Sequence, residues 1–154
     1  MYQDYRDVAE FYIVYIHEAH AADSSWPVPY AKEKGIKEHK NLAERCALAK
    51  TLIKEKKLTI PCLVDSMDNA AATAYAGWPD RIFLVRKNGR IGVAAGRGPW
   101  GFPSGLTKTR AWLAEYKKAG RGEDDDDKKC TGEDQASDTP VDCGDSKAGE
   151  APKE

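Results

Sequence analysis

Pro79-Asp80-Arg81-Ile82-Phe83-Leu84-Val85-Arg86-Lys87-Asn88-Gly89-Arg90-Ile91-Gly92-Val93-Ala94-Ala95 carries the strongest local signal in the chain. Two apolar, β-branched runs, 81–86 and 90–95, flank Lys87-Asn88-Gly89. Asn-Gly readily takes up the left-handed backbone that a tight hairpin turn needs, so the stretch predicts an antiparallel hairpin. Downstream, Leu106, Trp112, Leu113 and Tyr116 predict an amphipathic helix over 105–118. Upstream, the Ala-rich segment 69–76 predicts one or two helical turns ending at Gly77-Trp78-Pro79. A buried strand is expected at 60–65. Before it, Asn41 and Glu44 have capping-box spacing, and Leu42, Cys46, Ala49 and Ile53 recur at helical spacing, which predicts a helix over 42–57. Residues 17–40, with Asp23-Ser24-Ser25, Pro27, Pro29 and Gly35, read as a long irregular loop, and long loops in compact domains are commonly functional. Phe11-Tyr12-Ile13-Val14-Tyr15-Ile16 reads as a strand covered on both faces.

The order is therefore β, α, β, short α, hairpin, α, an α/β layered sandwich. A hairpin preceded by proline and followed by a closing helix resembles the end of the thioredoxin fold, in which that proline is commonly cis and faces the redox site. Pro79 is the candidate. The alternative is an ordinary trans proline opening an edge strand, which general X-Pro frequencies favour.

Composition sets further bounds. Of 154 residues, 41% are hydrophobic and 32% charged, and the net charge is −1. Residues 1–119 hold 19 Lys/Arg against 13 Asp/Glu, a balance of +6, whereas 120–154 hold 5 against 12, a balance of −7. The last aromatic residue is Tyr116. The domain is therefore expected to occupy 1–119, and 120–154 is expected to be a disordered acidic tail that cannot bury enough apolar surface to order itself. Within it, Asp124 to Lys128 resembles a protease recognition site but reads better as part of the acidic run. No membrane-length apolar run or signal peptide is present, so the chain as it stands is expected to be soluble, with localisation open. Cys46, Cys62, Cys130 and Cys143 have no zinc-finger or C-x-x-C spacing. Cys46 and Cys62 are expected to be free, small core residues. Cys130 and Cys143 could form a loop disulfide or a resolving pair. Basic residues are too scattered, and too far from any aromatic interleaving, to suggest nucleic acid.

Val14-Tyr15-Ile16-His17-Glu18-Ala19-His20, followed by Asp23 and Trp26, resembles the iodothyronine deiodinase family. The likeness continues through His39, Glu44-Arg45-Cys46, Asp65-Ser66-Met67-Asp68-Asn69, Ala74-Tyr75, Asp80-Arg81, Gly96-Arg97-Gly98-Pro99 and Arg110-Ala111-Trp112-Leu113, over residues 5–118. The resemblance implies a thioredoxin-like fold with a peroxiredoxin-type insertion, a three-layer α/β/α sandwich, and an oxidoreductase that reductively removes iodine from thyroid hormones. It implies His20 as the active-site histidine with Glu18 and Tyr15 beside it. It implies His39 and Arg97 as substrate-binding residues. A His paired with a carboxylate suits protonation of the ring carbon, and a guanidinium suits a phenolate or carboxylate. The expected partners are a small iodinated aromatic substrate and an external thiol reductant, with no bound cofactor. Homodimerisation is compatible with this reading. His17 stands where the family usually has an acidic residue and is expected to be exposed. Glu18-x-His20 lacks a third ligand, so no metal site is expected.

The family nucleophile belongs to a Cys-Thr-x-Pro-Pro-like segment that would precede Met1. The redox-bearing strand, its loop and most of one helix are therefore expected to be missing, with that strand lying between 11–16 and 81–86. The chain as written is expected to be inactive. A selenocysteine codon misread as stop, a natural fragment, or a paralogue that lost the site would each account for this. Two other functional classes fit the residues: a peroxiredoxin-like thiol peroxidase or dehalogenase on another substrate, and a non-catalytic thioredoxin-like binding module.

Overall fold

Each strand-forming run in the sequence becomes a strand, shorter than its apolar length. The structure is a computed structural model and describes residues 1–120. The expectations for the acidic tail, Cys130, Cys143 and Asp124 to Lys128 lie outside the described residues. In chain order the elements are α1 (Tyr2–Tyr5), β1 (Ile13–Tyr15), α2 (Pro29–Lys34), α3 (Leu42–Lys56), β2 (Cys62–Val64), α4 (Ala70–Ala74), β3 (Phe83–Val85), β4 (Ile91–Ala94) and α5 (Gly101–Lys118). The fold is mixed α/β.

β1 and β2 run parallel, in the register Ile13 to Cys62, Val14 to Leu63 and Tyr15 to Val64. Parallel neighbours need a crossover, and α2 and α3 supply it, with α3 packed on β2. α3 opens as the sequence indicates: Glu44 N–H donates to Asn41 Oδ1 at 2.9 Å, and Glu44 Oε2 accepts from Lys40 N–H at 2.7 Å. β3 and β4 form the expected antiparallel hairpin. Its turn has one left-handed residue, Gly89 at φ 78°, where a two-residue Asn-Gly turn would need two. Gly89 N–H donates to Arg86 O at 2.9 Å and Arg86 N–H to Arg90 O at 2.8 Å, closing a three-residue loop. Further along, Leu84 pairs with Val93 and Val85 with Ile91, so Gly92 is an extra residue on β4 that shifts the register there.

Three expectations are corrected. The irregular segment contains α2, which Pro29 opens and left-handed Gly35 closes, an asymmetry legible in the sequence. β1 is not covered on both faces: Tyr12 is 54% and Val14 45% exposed. Both point to one face of the strand, and the described strands form two separate two-stranded sheets, β1 with β2 and β3 with β4, with no helix packed extensively on β1. Finally, α5 begins at Gly101 and buries Gly105, Thr109 and Leu113, while Leu106 is exposed. A Cβ on Gly105 would stand 2.3 Å from Ala95 Cβ and 2.6 Å from Ile82 Cγ2. The helix therefore rides close to the hairpin on its smallest residue. Trp112 and Tyr116 stack on each other, centroids 5.0 Å apart, at the margin of this contact.

Among the described residues, five of the eight buried apolar ones are alanines; Val64, Leu84 and Leu113 are the large ones. Such a core brings backbones close together but buries little apolar area per residue. Cys62 is free and half-buried, and burial pushes its thiol pKa up. Cys46 is half-buried too and is disulfide-bonded, contrary to its reading as a free core residue. Among the described residues no helix is long and apolar enough to cross a membrane.

Candidate functional site

The loops at the C-terminal ends of β1 and β2 converge on the turn before β3 and the loop after β4. Between them lies a pocket of about 370 Å³, whose polar lining comprises His17, Asp68, Asn69, Thr73, Trp78 and Arg97, with Ala72 and Ala76 beneath. The C-terminal edge of parallel strands is where α/β folds place binding sites, because the chain must turn there and loops replace the sheet.

α4 forms one wall, and a buried carboxylate holds it in place. Asp65, just past β2, accepts from Ala71 N–H through Oδ1 and from Ala72 N–H through Oδ2, both at 2.9 Å. The residue at the helix entrance, Asn69, is left-handed at φ 60° and makes no side-chain cap, so Asp65 performs that task from a distance in sequence. Asp68 accepts from the Ser66 hydroxyl and from Ala70 N–H, and these bonds hold its pKa below the usual carboxylate value.

The opposite wall is built by Trp78 and Arg97, with Pro79 next to Trp78 in the chain but outside the lining. The Trp78–Pro79 peptide is cis, as the resemblance implies. Arg81 fastens the adjoining turn: Nε and Nη2 donate to Ala95 O at 2.9 and 2.7 Å, and Nη1 to Tyr75 O at 3.2 Å. Gly98 N–H donates to Asp80 O at 3.0 Å, and a Cβ on Gly98 would stand 1.9 Å from Asp80 Oδ1. Only glycine lets the 96–99 loop lie this close, and the loop carries Arg97 exposed at the pocket mouth.

His17 is not the exposed residue expected from sequence. It is half-buried and stacks on Trp78 with ring centroids 6.1 Å apart and planes 8° from parallel. Its Nδ1 is buried without a partner. The flat indole provides a surface for the ring that solvent would otherwise take, and the two rings line the same pocket as Arg97.

Of the residues read from the sequence, Arg97 lines this pocket, while Tyr15, Glu18, His20 and His39 do not. Tyr15, Glu18 and His39 form a second group with Arg45. The Tyr15 hydroxyl donates to Glu18 Oε1. Burial first, and this bond second, push the Tyr15 pKa well up, so the phenol stays protonated. His39 is 8% exposed, with its ring centroid 6.4 Å from that of Tyr15. Arg45, less than 2% exposed, donates Nε–H to His39 Nε2 at 2.7 Å. Burial, and then the Arg45 charge, lower the His39 pKa. The Arg45 guanidinium also donates to Asp65 O, Ser66 O and Asn69 Oδ1, so it links this group to the pocket wall.

His20 stands with Trp26. Its Nδ1–H donates to Trp26 O at 3.0 Å, and the rings meet edge to face, centroids 5.0 Å apart. Nε2 is then the atom that can accept or release a proton. Among the described residues no group of three His, Cys, Asp or Glu side chains could hold a metal ion.

The sequence reading gave no site role to Arg45, His17 or Trp78. Arg45 had a signal: it lies three residues after Leu42 and four before Ala49, on the face that the helical pattern marks as buried. Trp78 had none, since its role arises where α4 and the hairpin meet.

The family model described as iodothyronine deiodinase matches residues 1–117. Among curated proteins, the chain is 35% identical over 114 residues to "Thyroxine 5-deiodinase" of Gallus gallus, covering 74% of this chain and 42% of that protein. It is 36% identical over 99 residues to "Type I iodothyronine deiodinase" of Xenopus laevis, covering 64% and 37%. It is 36% identical over 115 residues to "Type II iodothyronine deiodinase" of Rattus norvegicus, covering 72% and 42%. The chain thus spans about 42% of the length of two of these relatives and 37% of the third.

Proposed function

The chain belongs to the iodothyronine deiodinase family, and on that footing we propose that residues 1–117 hold the substrate and handle protons in a reductive deiodinase site. The observation that carries the reading is the pocket in which Arg97 stands at the mouth beside the His17–Trp78 stack. Such a pocket suits a flat, iodinated phenol: stacked rings offer an apolar and polarisable face, and a guanidinium binds phenolate or carboxylate oxygen. We propose a thioredoxin-like arrangement for the domain. The parallel β1–β2 pair, the cis Pro79 before an antiparallel hairpin and the closing α5 support it.

Reductive deiodination moves two electrons. A thiolate or selenolate attacks iodine, the carbon–iodine bond breaks with its electron pair left on the ring carbon, and that carbon takes a proton. An external thiol then attacks the chalcogen of the chalcogen–iodine adduct, releasing iodide and forming a mixed disulfide or selenenyl sulfide, from which a second thiol frees the nucleophile as the two thiols leave joined in a disulfide. No cysteine lines the pocket, so the proposal assigns the attacking group to a segment outside residues 1–120. His20 is the acid: with Nδ1–H committed to Trp26 O, its protonated form presents Nε2–H as the transferable proton. Tyr15 and Glu18 form a hydrogen-bonded pair near it in sequence, with the phenol as donor. The proposal also gives His39 a substrate contact, from outside the pocket lining and tied to its wall through Arg45 and Asn69. The family match favours this reading over the thiol-peroxidase and binding-module alternatives. An external thiol as electron donor and assembly as a homodimer complete the proposal.

The test is a fluorescence titration of the chain with thyroxine, which Trp78 in the pocket wall should report by quenching. Arg97→Ala should weaken binding by about tenfold or more, the loss of one charge-assisted hydrogen bond. Equal affinity in both proteins would sink the assignment of the pocket.

A further inference from the structure

We propose that Arg45 is a positioning residue that holds His39 as a neutral imidazole with its proton on Nδ1, so that His39 meets the ligand as a fixed hydrogen-bond donor. The proposal rests on the reading above, in which His39 contacts substrate.

A guanidinium has five N–H donors, no acceptor and a permanent charge. With Arg45 Nε 2.7 Å from His39 Nε2, that ring nitrogen has to be the acceptor and cannot carry a proton. A neutral imidazole then carries its proton on Nδ1. Protonating Nε2 would set N–H against N–H and place a second positive charge beside a buried one, with both side chains less than a tenth exposed. Arg45 cannot swing aside to make room. Nη1 donates to Asp65 O at 3.1 Å and to Ser66 O at 2.5 Å, and Nη2 donates to Asn69 Oδ1 at 2.9 Å. These acceptors are neutral, so none offsets the charge that a histidinium would meet.

The other charged and titratable groups acting on His39 do not reverse this. Glu18 and Glu38 favour its protonated form, while His17 joins Arg45 in opposing it. Glu18 is already engaged by the Tyr15 hydroxyl. His39 Nδ1, for its part, is buried and has no partner in the protein. A donor buried without an acceptor is a group prepared for one, and a ligand phenolate or carboxylate oxygen has the matching chemistry. The two histidines thus have opposite duties: His20 commits Nδ1–H to Trp26 O and keeps Nε2 for proton transfer, whereas His39 commits Nε2 to Arg45 and keeps Nδ1–H for binding.

The experiment is long-range ¹H–¹⁵N correlation on the full 154-residue chain with ¹⁵N-labelled histidine, without ligand. His39 signals are identified by their loss in His39→Asn. The expected spectrum is that of an imidazole protonated at Nδ1 and bare at Nε2, with imidazolium appearing only below the pH at which an ordinary histidine titrates. In Arg45→Met, where burial remains but the adjacent charge is gone, His39 should titrate at higher pH than in the wild type and lose its single tautomer. A wild-type His39 protonated at Nε2, or titrating no lower than an ordinary histidine, overturns the proposal whether or not the variant folds. Adding thyroxine to the wild type should shift the Nδ1 proton resonance; thyroxine that binds without moving it overturns the donor role. Failure of thyroxine to bind, with the expected tautomer observed, refutes the reading of the pocket and leaves the lock established.

Discussion

Asp65→Ala tests whether one buried carboxylate builds the pocket wall. Asp65 is 4% exposed and receives two main-chain N–H groups of α4, those of Ala71 and Ala72, at 2.9 Å each. Alanine removes both acceptors. The Ala72 bond is buried and the Ala71 bond partly so, so water replaces the first poorly and the second in part. A buried donor left unpaired costs about 1–3 kcal/mol, and the partial recovery at Ala71 brings the expected loss to about 2–4 kcal/mol. For a small domain whose whole stability is of the order of 5–15 kcal/mol, that is a large fraction. Asp65→Asn keeps one acceptor and turns an NH₂ group toward the other N–H, so it should fall between the wild type and Asp65→Ala. Urea unfolding followed by circular dichroism measures both. A change within about 0.5 kcal/mol for Asp65→Ala, with the unfolding slope unchanged, would refute the reasoning, since that is the size of an ordinary surface substitution.

Three further outcomes are expected. Gly105→Ala drives a methyl into Ala95 and Ile82 and should lower stability by about 1–3 kcal/mol by the same assay; a neutral or stabilising effect would show that α5 has room to lift. His39 has a lowered pKa in the folded state, so the unfolded chain takes up a proton near 6.5 while the native site resists it. Its contribution is therefore full above that pH and is lost as pH falls below it toward the native value; His39→Asn should flatten this slope below about pH 6.5, and identical slopes would reject the linkage. In a protein that joins this chain to a nucleophile-bearing segment, His20→Ala should reduce iodide release roughly 100-fold or more, and an unchanged rate would remove His20 from the acid role.

Local chemistry was readable wherever it was local. The hairpin, the Asn41–Glu44 start of α3 and the short helix before Gly77 each depend on residues within a few positions of one another, and each is present. What depended on contacts between distant segments was not readable. His17 looks exposed until Trp78, 61 positions on, is found stacked against it. Leu106 looks buried until Gly105 meets Ala95, which turns the helix by one residue. Arg45 sits on the buried face of its own helix by spacing, but a charged side chain there is ordinarily taken for a solvated one. Only the carbonyls of Asp65 and Ser66, the amide of Asn69 and the ring of His39 make its burial tenable. The site residues carried over by resemblance fall into separate clusters, and it is Arg45, absent from that set, that connects His39 to the wall of the pocket.

The two small sheets have a practical consequence for handling the protein. One long side of β1 and one of β3 has no strand partner among the described residues, and Val14 and Val85 are about half exposed along them. Uncovered strand sides of this kind act as templates for other chains, and natural proteins commonly blunt them with charge. Around β3 the charge is at hand, in Arg86, Lys87 and Arg90 at the hairpin turn; β1 runs Tyr12-Ile13-Val14-Tyr15 with no charge of its own, and the flanking Glu10 and Glu18 are each engaged by a tyrosine hydroxyl of this run. Concentrated samples should therefore self-associate first through the N-terminal strand, and a single lysine introduced at Val14 is the change most suited to keeping the protein dispersed.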